Sequence, residues 1–354
     1  MKRKKIFPIF ILLLLILTIL YVLLAVKPLG KEYQFSPIWN INTDNPTVVS
    51  VPESKKKLYF HLNQSLGYFT EDGEISFYKT FPRKVSISDS YFSVYSPQAN
   101  NTPFYNKEGV EVGKIRANGF PYFSDDLIFV FLPGGSSFSK CSDNGTVEWT
   151  FEGTVPITAF AAKKNFTAVG FANGYIKVFD TKTGTLQLTF APGGSDFPVI
   201  FGLDISDDGQ YIASVSGYEK QRFVLSKRED SQQKIVYHRS LNSNLPYRTL
   251  VHFCKDNNRV VYDYEGSASI YSIKEDKNTI LPISASIKDI AESDDIIYLL
   301  SKKDKNFTVY IVENPDNLEG QFSFTADNAF IKTDNNNLYI GKDNSISCIS
   351  VTKE

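Results

Sequence analysis

From residue 45 onward the chain is cut at near-regular intervals by Gly-containing turn pairs: DG at 72–73, EG at 108–109, NG at 144–145 and 173–174, TG at 183–184, DG at 208–209. Short apolar runs rich in Phe, Tyr, Ile and Val lie between them, and the whole sequence holds 28 Phe and 20 Tyr against 2 Trp and 1 Met. That usage favours strands over helices. FTAVGFANGYIKVFDTKTGTLQLTF (166–190) reads as strand, Asn-Gly turn, strand, Thr-Gly turn, strand, and ITAFAA (157–162) supplies a strand before it. This is a meander of hairpins. The same four-part unit recurs with first strands at about 47, 84, 120, 156, 198, 248, 286 and 328. Units of roughly 40–45 residues with four strands are the signature of propeller blades. The spacing therefore predicts an all-β propeller over 33–354 with eight four-stranded blades, and seven as the alternative count. A pair of β-sandwiches would also use short strands and turns, but not so regular a unit over the whole body.

Several segments carry a family imprint. LDISDDGQYIASVSG (203–217) resembles the first-to-second-strand corner of WD-like bacterial propellers. VFDTKTGTLQLTF (178–190) and CSDNGTVEWTF (141–151) resemble the corner of the pyrroloquinoline-quinone-like (PQQ-like) propeller repeat, and FTEDGEISFY, FYNKEGVEVG and IVENPDNLEGQFSF look like degraded copies. In that family the Trp of the corner packs between neighbouring blades. Trp149 holds this place, whereas Leu188 stands there in the 178–190 copy. In blade type the chain is similar to the propeller lipoprotein of the outer-membrane β-barrel assembly machinery. It departs from that protein in having a candidate membrane anchor where the other has a lipidated Cys. Such a resemblance is one of fold and transfers no active site. Quinone-dependent dehydrogenases of this fold carry an adjacent cysteine pair and calcium ligands on added loops, and this chain has neither.

The amino terminus has a different character. Residues 1–27 hold five of the 38 bases and none of the 39 acids, which leaves the remainder at −6. A basic tail (1–5) precedes an uncharged apolar stretch, Ile6–Val26, long enough at 1.5 Å per residue to cross a bilayer as a helix. A cleaved signal peptide would have a shorter apolar core ending in small residues; here the stretch ends in LLAVKPLG. The reading is an uncleaved signal anchor with its amino end cytoplasmic, a tether at 27–32, and a propeller outside the inner (cytoplasmic) membrane, periplasmic or external. The net-acidic body excludes nucleic acid as a partner.

The two tryptophans suggest how the ring closes. Trp39 and Trp149 each lie seven residues before a proline, Pro46 and Pro156. Only three strands can be counted after residue 328, so the last blade lacks its fourth. The correspondence assigns YQFSPIWNI (33–41) to that place and makes TVVSV (47–51) the first strand of the next blade.

No catalytic, cofactor-binding or metal-binding residue is assigned, no cofactor is expected, and the chain is read as a non-enzyme. Cys141, Cys254 and Cys348 are too dispersed for a zinc site or a disulfide framework. Among His61, His238 and His252, only His252 has a close potential co-ligand, Cys254 two residues on. One pair falls short of the three or four ligands a metal needs. GGSS (134–137) and PGGS (192–195) precede no helical pattern, so they do not read as phosphate cradles. KREDSQQK (227–234) reads as a solvated hairpin tip. The expected role is a protein–protein interaction scaffold in the cell envelope, with envelope or membrane proteins as partners. A small-ligand or glycan sensor using the channel mouth is the alternative, and a propeller lyase or glycosidase a third.

Overall fold

The computed structural model describes residues 6–25, 32–96, 100–230, 232–264, 266–293, 296–313 and 317–353. Among the described residues the body is eight consecutive antiparallel sheets, seven of four strands and one of three. Blade one holds Lys57–Leu62, Ser65–Thr70 and Ile75–Thr80. Blades two to seven follow in chain order, with first strands opening at Lys84, Phe120, Ile157, Ile200, Val251 and Ser286. Blade eight runs Ala329–Asp334, Asn337–Lys342 and Ser345–Lys353, and its fourth strand is Tyr33–Asn42. That strand pairs antiparallel with Ser345–Lys353, from Tyr33 opposite Lys353 to Asn42 opposite Ser345. Pro37, which has no N–H to give a ladder, sits at a register shift on this outer strand, where proline is tolerated. The ring is thus closed by joining the two ends of the body.

Up-down strand order fixes two faces. First-to-second and third-to-fourth strand turns lie on one, here called lower. Second-to-third turns and the connections between blades lie on the other, upper face. The apolar core is a series of clusters between adjacent blades. One example joins Ala213, Phe223 and Leu225 of blade five to Val251, Val260 and Tyr262 of blade six.

An aromatic on the outer strand of several blades packs on the third-to-fourth turn of the following blade. Trp149 does so over Gly184 and donates its indole N–H to the Thr181 carbonyl at 3.0 Å. Trp39 does the same over Gly73 and donates to the Glu71 carbonyl at 2.8 Å. Both glycines have positive φ (+72° and +83°), and a Cβ on either would collide with the indole. Phe77 lies against Gly109 in the same way. The indoles are half-buried rather than enclosed, so Trp39→Ala and Trp149→Ala should each cost about 2–4 kcal/mol. Urea melts of the two single variants check this; losses under half a kcal/mol would show that the indoles only cover the surface.

Phe77 also corrects the sequence reading. It stands on Ile75–Thr80, which makes that strand the outer one of blade one. The strand that blade one lacks is therefore the inner one. TVVSV (47–51) does not fill it. Val48 makes a single parallel bridge to Ile75, and the Val49 N–H donates to the Ile75 carbonyl at 2.9 Å. The flanking Pro46 and Pro52 have no N–H to give a ladder. The other seven units begin within three residues of the expected positions.

At the amino terminus Ile6–Ala25 is a 20-residue α-helix. Its side chains are described for 11–21 alone, about 16 Å of helix, and all of these are exposed. Among the described residues no helix is long and apolar enough to cross a membrane. The expected span at 6–26 extends beyond them, and the basic tail 1–5 and nearly all of the tether lie outside the described residues.

Candidate functional site: the central cavity and the aromatic upper face

The inner strands surround a cavity of about 580 Å³. It is lined from blade one by Tyr59 and His61, from blades two and three by Asp89 and Asp125, and from blades six to eight by His252, Asp289, Glu292 and Lys332. His252 Nε2 lies 2.8 Å from Glu292 Oε1, and its Nδ1 3.9 Å from Asp204 Oδ2.

The carboxylates around this ring tie blades together. Asp204 of blade five accepts the Phe253 N–H of blade six at 2.7 Å. Asp289 of blade seven accepts the Ile331 N–H of blade eight at 2.9 Å. Glu292 of blade seven accepts the Lys255 N–H of blade six at 2.9 Å, and Asp263 of blade six accepts the Ile287 N–H of blade seven at 3.3 Å. Each carboxylate accepts an N–H of a neighbouring blade, from an inner strand or, for Lys255, from the turn that follows one, an arrangement strong enough to hold a buried polar group.

Burial raises the carboxyls of Asp204 and Asp289 above the usual range, against the pull of Lys163 on the first and of the Ile331 N–H on the second. Burial acts on Glu292 in the same direction, but its hydrogen bond and charge contact with His252 outweigh it and hold the carboxyl low. Cys254 also faces Glu292, and burial pushes its thiol well above the ordinary value, which disfavours the thiolate. Among the described residues no three His, Cys, Asp or Glu side chains converge to hold a metal ion. His252 serves as a link between carboxylates, and His61 lines the same cavity from blade one. His238 is exposed on the outer strand Gln232–Ser240 of blade five, apart from both. Most of the charges around the cavity are tied to one another across blades, His252 to Glu292 and Lys332 to Asp89 among them.

The upper face differs in chemistry. The propeller's five exposed aromatics among the described residues are Phe120, Tyr175, Phe197, Tyr218 and Tyr247. All five stand in upper-face connections or turns, or at their margins, of blades three to six. The Tyr218 N–H donates to the Phe197 carbonyl at 2.9 Å, which joins two of them directly. Apolar clefts open between blades on this arc. One of about 380 Å³ is lined by Phe151, Val155, Phe171 and Tyr175, with the Lys177 ammonium 4.9 Å from the Phe151 ring centre. Another of about 200 Å³ lies under Phe120, which stacks on Phe131 at 4.9 Å. The glycine-rich stretches 134–137, in the second-to-third turn of blade three, and 192–195, in the connection from blade four to blade five, lie on the upper face beside these aromatics, and a Cβ on Gly134, Gly135 or Gly193 would meet nothing within 4 Å. The lower face carries the turns at 72–73, 108–109, 144–145, 183–184 and 208–209 instead, and the 227–234 hairpin ends there, whereas the NG turn at 173–174 lies on the upper face beside Tyr175.

The sequence reading assigned no site residue, and the aromatic arc escaped it. Its signal was present: each of these aromatics lies in or beside a blade-to-blade connection or a second-to-third turn. Only sorting turns by face brings them together.

A ring of eight blades closed by its own first strand defines a β-propeller. The chain belongs to the β-propeller protein family whose model matches residues 1–353. It is 27% identical over 344 residues to a protein of Treponema pallidum (strain Nichols) described as uncharacterized, a match covering 94% of this chain and 91% of that one. Among solved structures it is similar to BamB from Moraxella catarrhalis, 15% identical with a TM-score of 0.62, covering 90% of this chain and 98% of that one. It is also similar to the computationally designed Ika8 protein, 14% identical with a TM-score of 0.66, covering 89% and 99%. At these identities the two structures speak to the fold alone.

Proposed function

We propose that this protein is a non-enzymatic interaction scaffold of the cell envelope, held to the cytoplasmic membrane by its amino-terminal helix. The observation that carries the reading is the segregation of exposed aromatics. Tyr and Phe are enriched at the centres of protein interfaces, where large rigid side chains desolvate at low entropic cost. Five of them on one face, with clefts between, suit a protein partner. His252, Glu292, Lys332 and Asp89 of the cavity are already paired with one another, which weighs against the sensor reading.

What supports the anchoring half is the sequence, an uncharged apolar run over Ile6–Val26 behind a basic tail. The chain enters the ring at Tyr33, on the lower face. An anchor attached there leaves the aromatic face at the opposite end, free for partners away from the bilayer.

A photo-crosslinking amino acid at Tyr175, Phe197 or Tyr218 of the full-length protein should trap discrete protein partners in intact cells. The same probe at Lys182 or Asp230 on the lower face should trap none. Equal trapping from both faces would refute the assignment. Absence of partners, with a ligand-induced rise in melting temperature, would move the function to the sensor reading. For topology, protease added to spheroplasts should degrade the propeller and leave an anchored stub; a protected propeller overturns the extracytoplasmic placement.

A further inference from the structure

Among the described residues, blade one is the one sheet of the ring without an inner strand, and the space left is shaped by what surrounds it. The Tyr59 N–H points away from the neighbouring strand Ser65–Thr70 and donates to Asp89 Oδ1 of blade two at 3.1 Å. By the alternation of an antiparallel ladder, the backbone groups of Lys57 and His61 face the same open side. Lys332 reaches across the gap from blade eight. Its ammonium lies 3.4 Å from the centre of the Tyr59 ring and 3.2 Å from Asp89 Oδ1. An ion pair from blade eight to blade two, past blade one, requires that the inner position be empty.

The chain carries a segment made for that position. Asn42, which ends the outer strand of blade eight, and Lys57, which begins the second strand of blade one, are 15 residues apart in number. Phe151 and Phe166 are separated by the same number, and between them blade four builds the six-residue inner strand Ile157–Ala162. Trp39 and Trp149, like Pro46 and Pro156, differ by 110 in number, and this offset lays Thr47–Pro52 on Ile157–Ala162. Four of the five residues of TVVSV are β-branched, which suits a buried strand. In the structure it is held by one bridge, with Val48 51% and Val49 36% exposed.

We propose that the open inner edge of blade one is a strand-acceptor site, that its occupant is the chain's own segment Pro46–Pro52, and that this segment exchanges between the outer bridge and the inner slot. With the segment outside, Lys332 and Asp89 latch the gap and the cavity extends to Tyr59 and His61. With it inside, its backbone pairs with Lys57–His61, the latch is displaced and the cavity is closed on that side. No bond is made or broken beyond hydrogen bonds. The inference is independent of the scaffold reading.

Disulfide trapping in the full-length protein tests it. Ile157 pairs with Phe171 in blade four, so the offset of 110 places Thr47 opposite His61. Directly opposed positions in a ladder lie within disulfide reach. The pair Thr47→Cys/His61→Cys should close under mild oxidation, without competition from the buried Cys141, Cys254 and Cys348. Adding Lys332→Ala, which removes the latch, should speed closure by about tenfold. The single variant Val49→Cys supplies a readout that needs no double substitution: its reaction with a maleimide should slow by about tenfold when Lys332→Ala is added. No disulfide in either background, or a Val49→Cys reactivity indifferent to Lys332, overturns the proposal.

Discussion

A chain beginning at residue 45 is expected to aggregate or remain unfolded, whereas one beginning at residue 28 should melt as a cooperative monomer. The strand Tyr33–Asn42 is hydrogen-bonded along its length to Ser345–Lys353. Without it those nine residues become an open sheet edge, a template for pairing between molecules. Side-chain losses add to this. Tyr33 and Phe35 pack against the cluster between blades seven and eight, with Phe35 and Phe322 5.1 Å apart edge to face. Trp39 and Ile41 pack on the cluster between blades eight and one, with Trp39 5.8 Å from Tyr339. Four large side chains at about 1.5–3 kcal/mol each approach the whole stability of a domain, about 5–15 kcal/mol. Gel filtration and far-ultraviolet circular dichroism of the two chains decide the matter. Melting temperatures within a few degrees of each other would make Tyr33–Asn42 a mere linker.

The repeat was legible because it rests on local chemistry. A turn such as NG at 173–174 or TG at 183–184 needs positive φ at its glycine, and Gly174 and Gly184 have it at +82° and +72°. Apolar runs between such turns have few ways to pair. The Trp39–Trp149 correspondence identified the outer strand of the last blade because a Trp over a positive-φ glycine is a packing unit of fixed offset. The same correspondence failed five residues later, at TVVSV, where nothing local separates an inner strand from an exposed extended segment. That choice depends on Lys332 and Asp89, remote from 47–51 in the chain. The carboxylate links of the cavity were hidden for a similar reason. Asp204 meets an N–H 49 residues on and Asp289 one 42 residues on, and an Asp before a turn looks alike in sequence whether it is solvated or buried. His252 was singled out with the wrong companion: Cys254 lies two residues on, just past the strand Val251–Phe253, but Glu292 is its hydrogen-bond partner.

Stability should fall as pH rises from about 4 to about 8, and Asp263 should account for much of the fall. This residue of blade six is buried at 3% exposure, and its Oδ1 has no hydrogen-bond partner. Burial pushes its carboxyl up to about 7, against the opposing pull of the Ile287 N–H, the Lys288 charge and the Tyr264 N–H. Below pH about 4 the folded and unfolded chains both hold the proton, and the stability is fully present. Between about 4 and 7 the unfolded chain loses the proton while the folded one keeps it. The unfolded state then binds fewer protons, so stability declines with rising pH until the folded group ionises too. A shift of about three pH units corresponds to an upper bound on the order of 4 kcal/mol. Asp204 and Asp289, raised by the same burial, act in the same sense. Asp263→Asn retains the carbonyl oxygen that accepts the Ile287 N–H and removes the titration. The variant should therefore melt several degrees above the parent at pH 8 and no higher than the parent at pH 4.5. Calorimetric scans at four or five pH values resolve the crossing. Parallel curves, offset by a constant, would mean that Asp263 is ionised in the folded protein and that its free oxygen is hydrated.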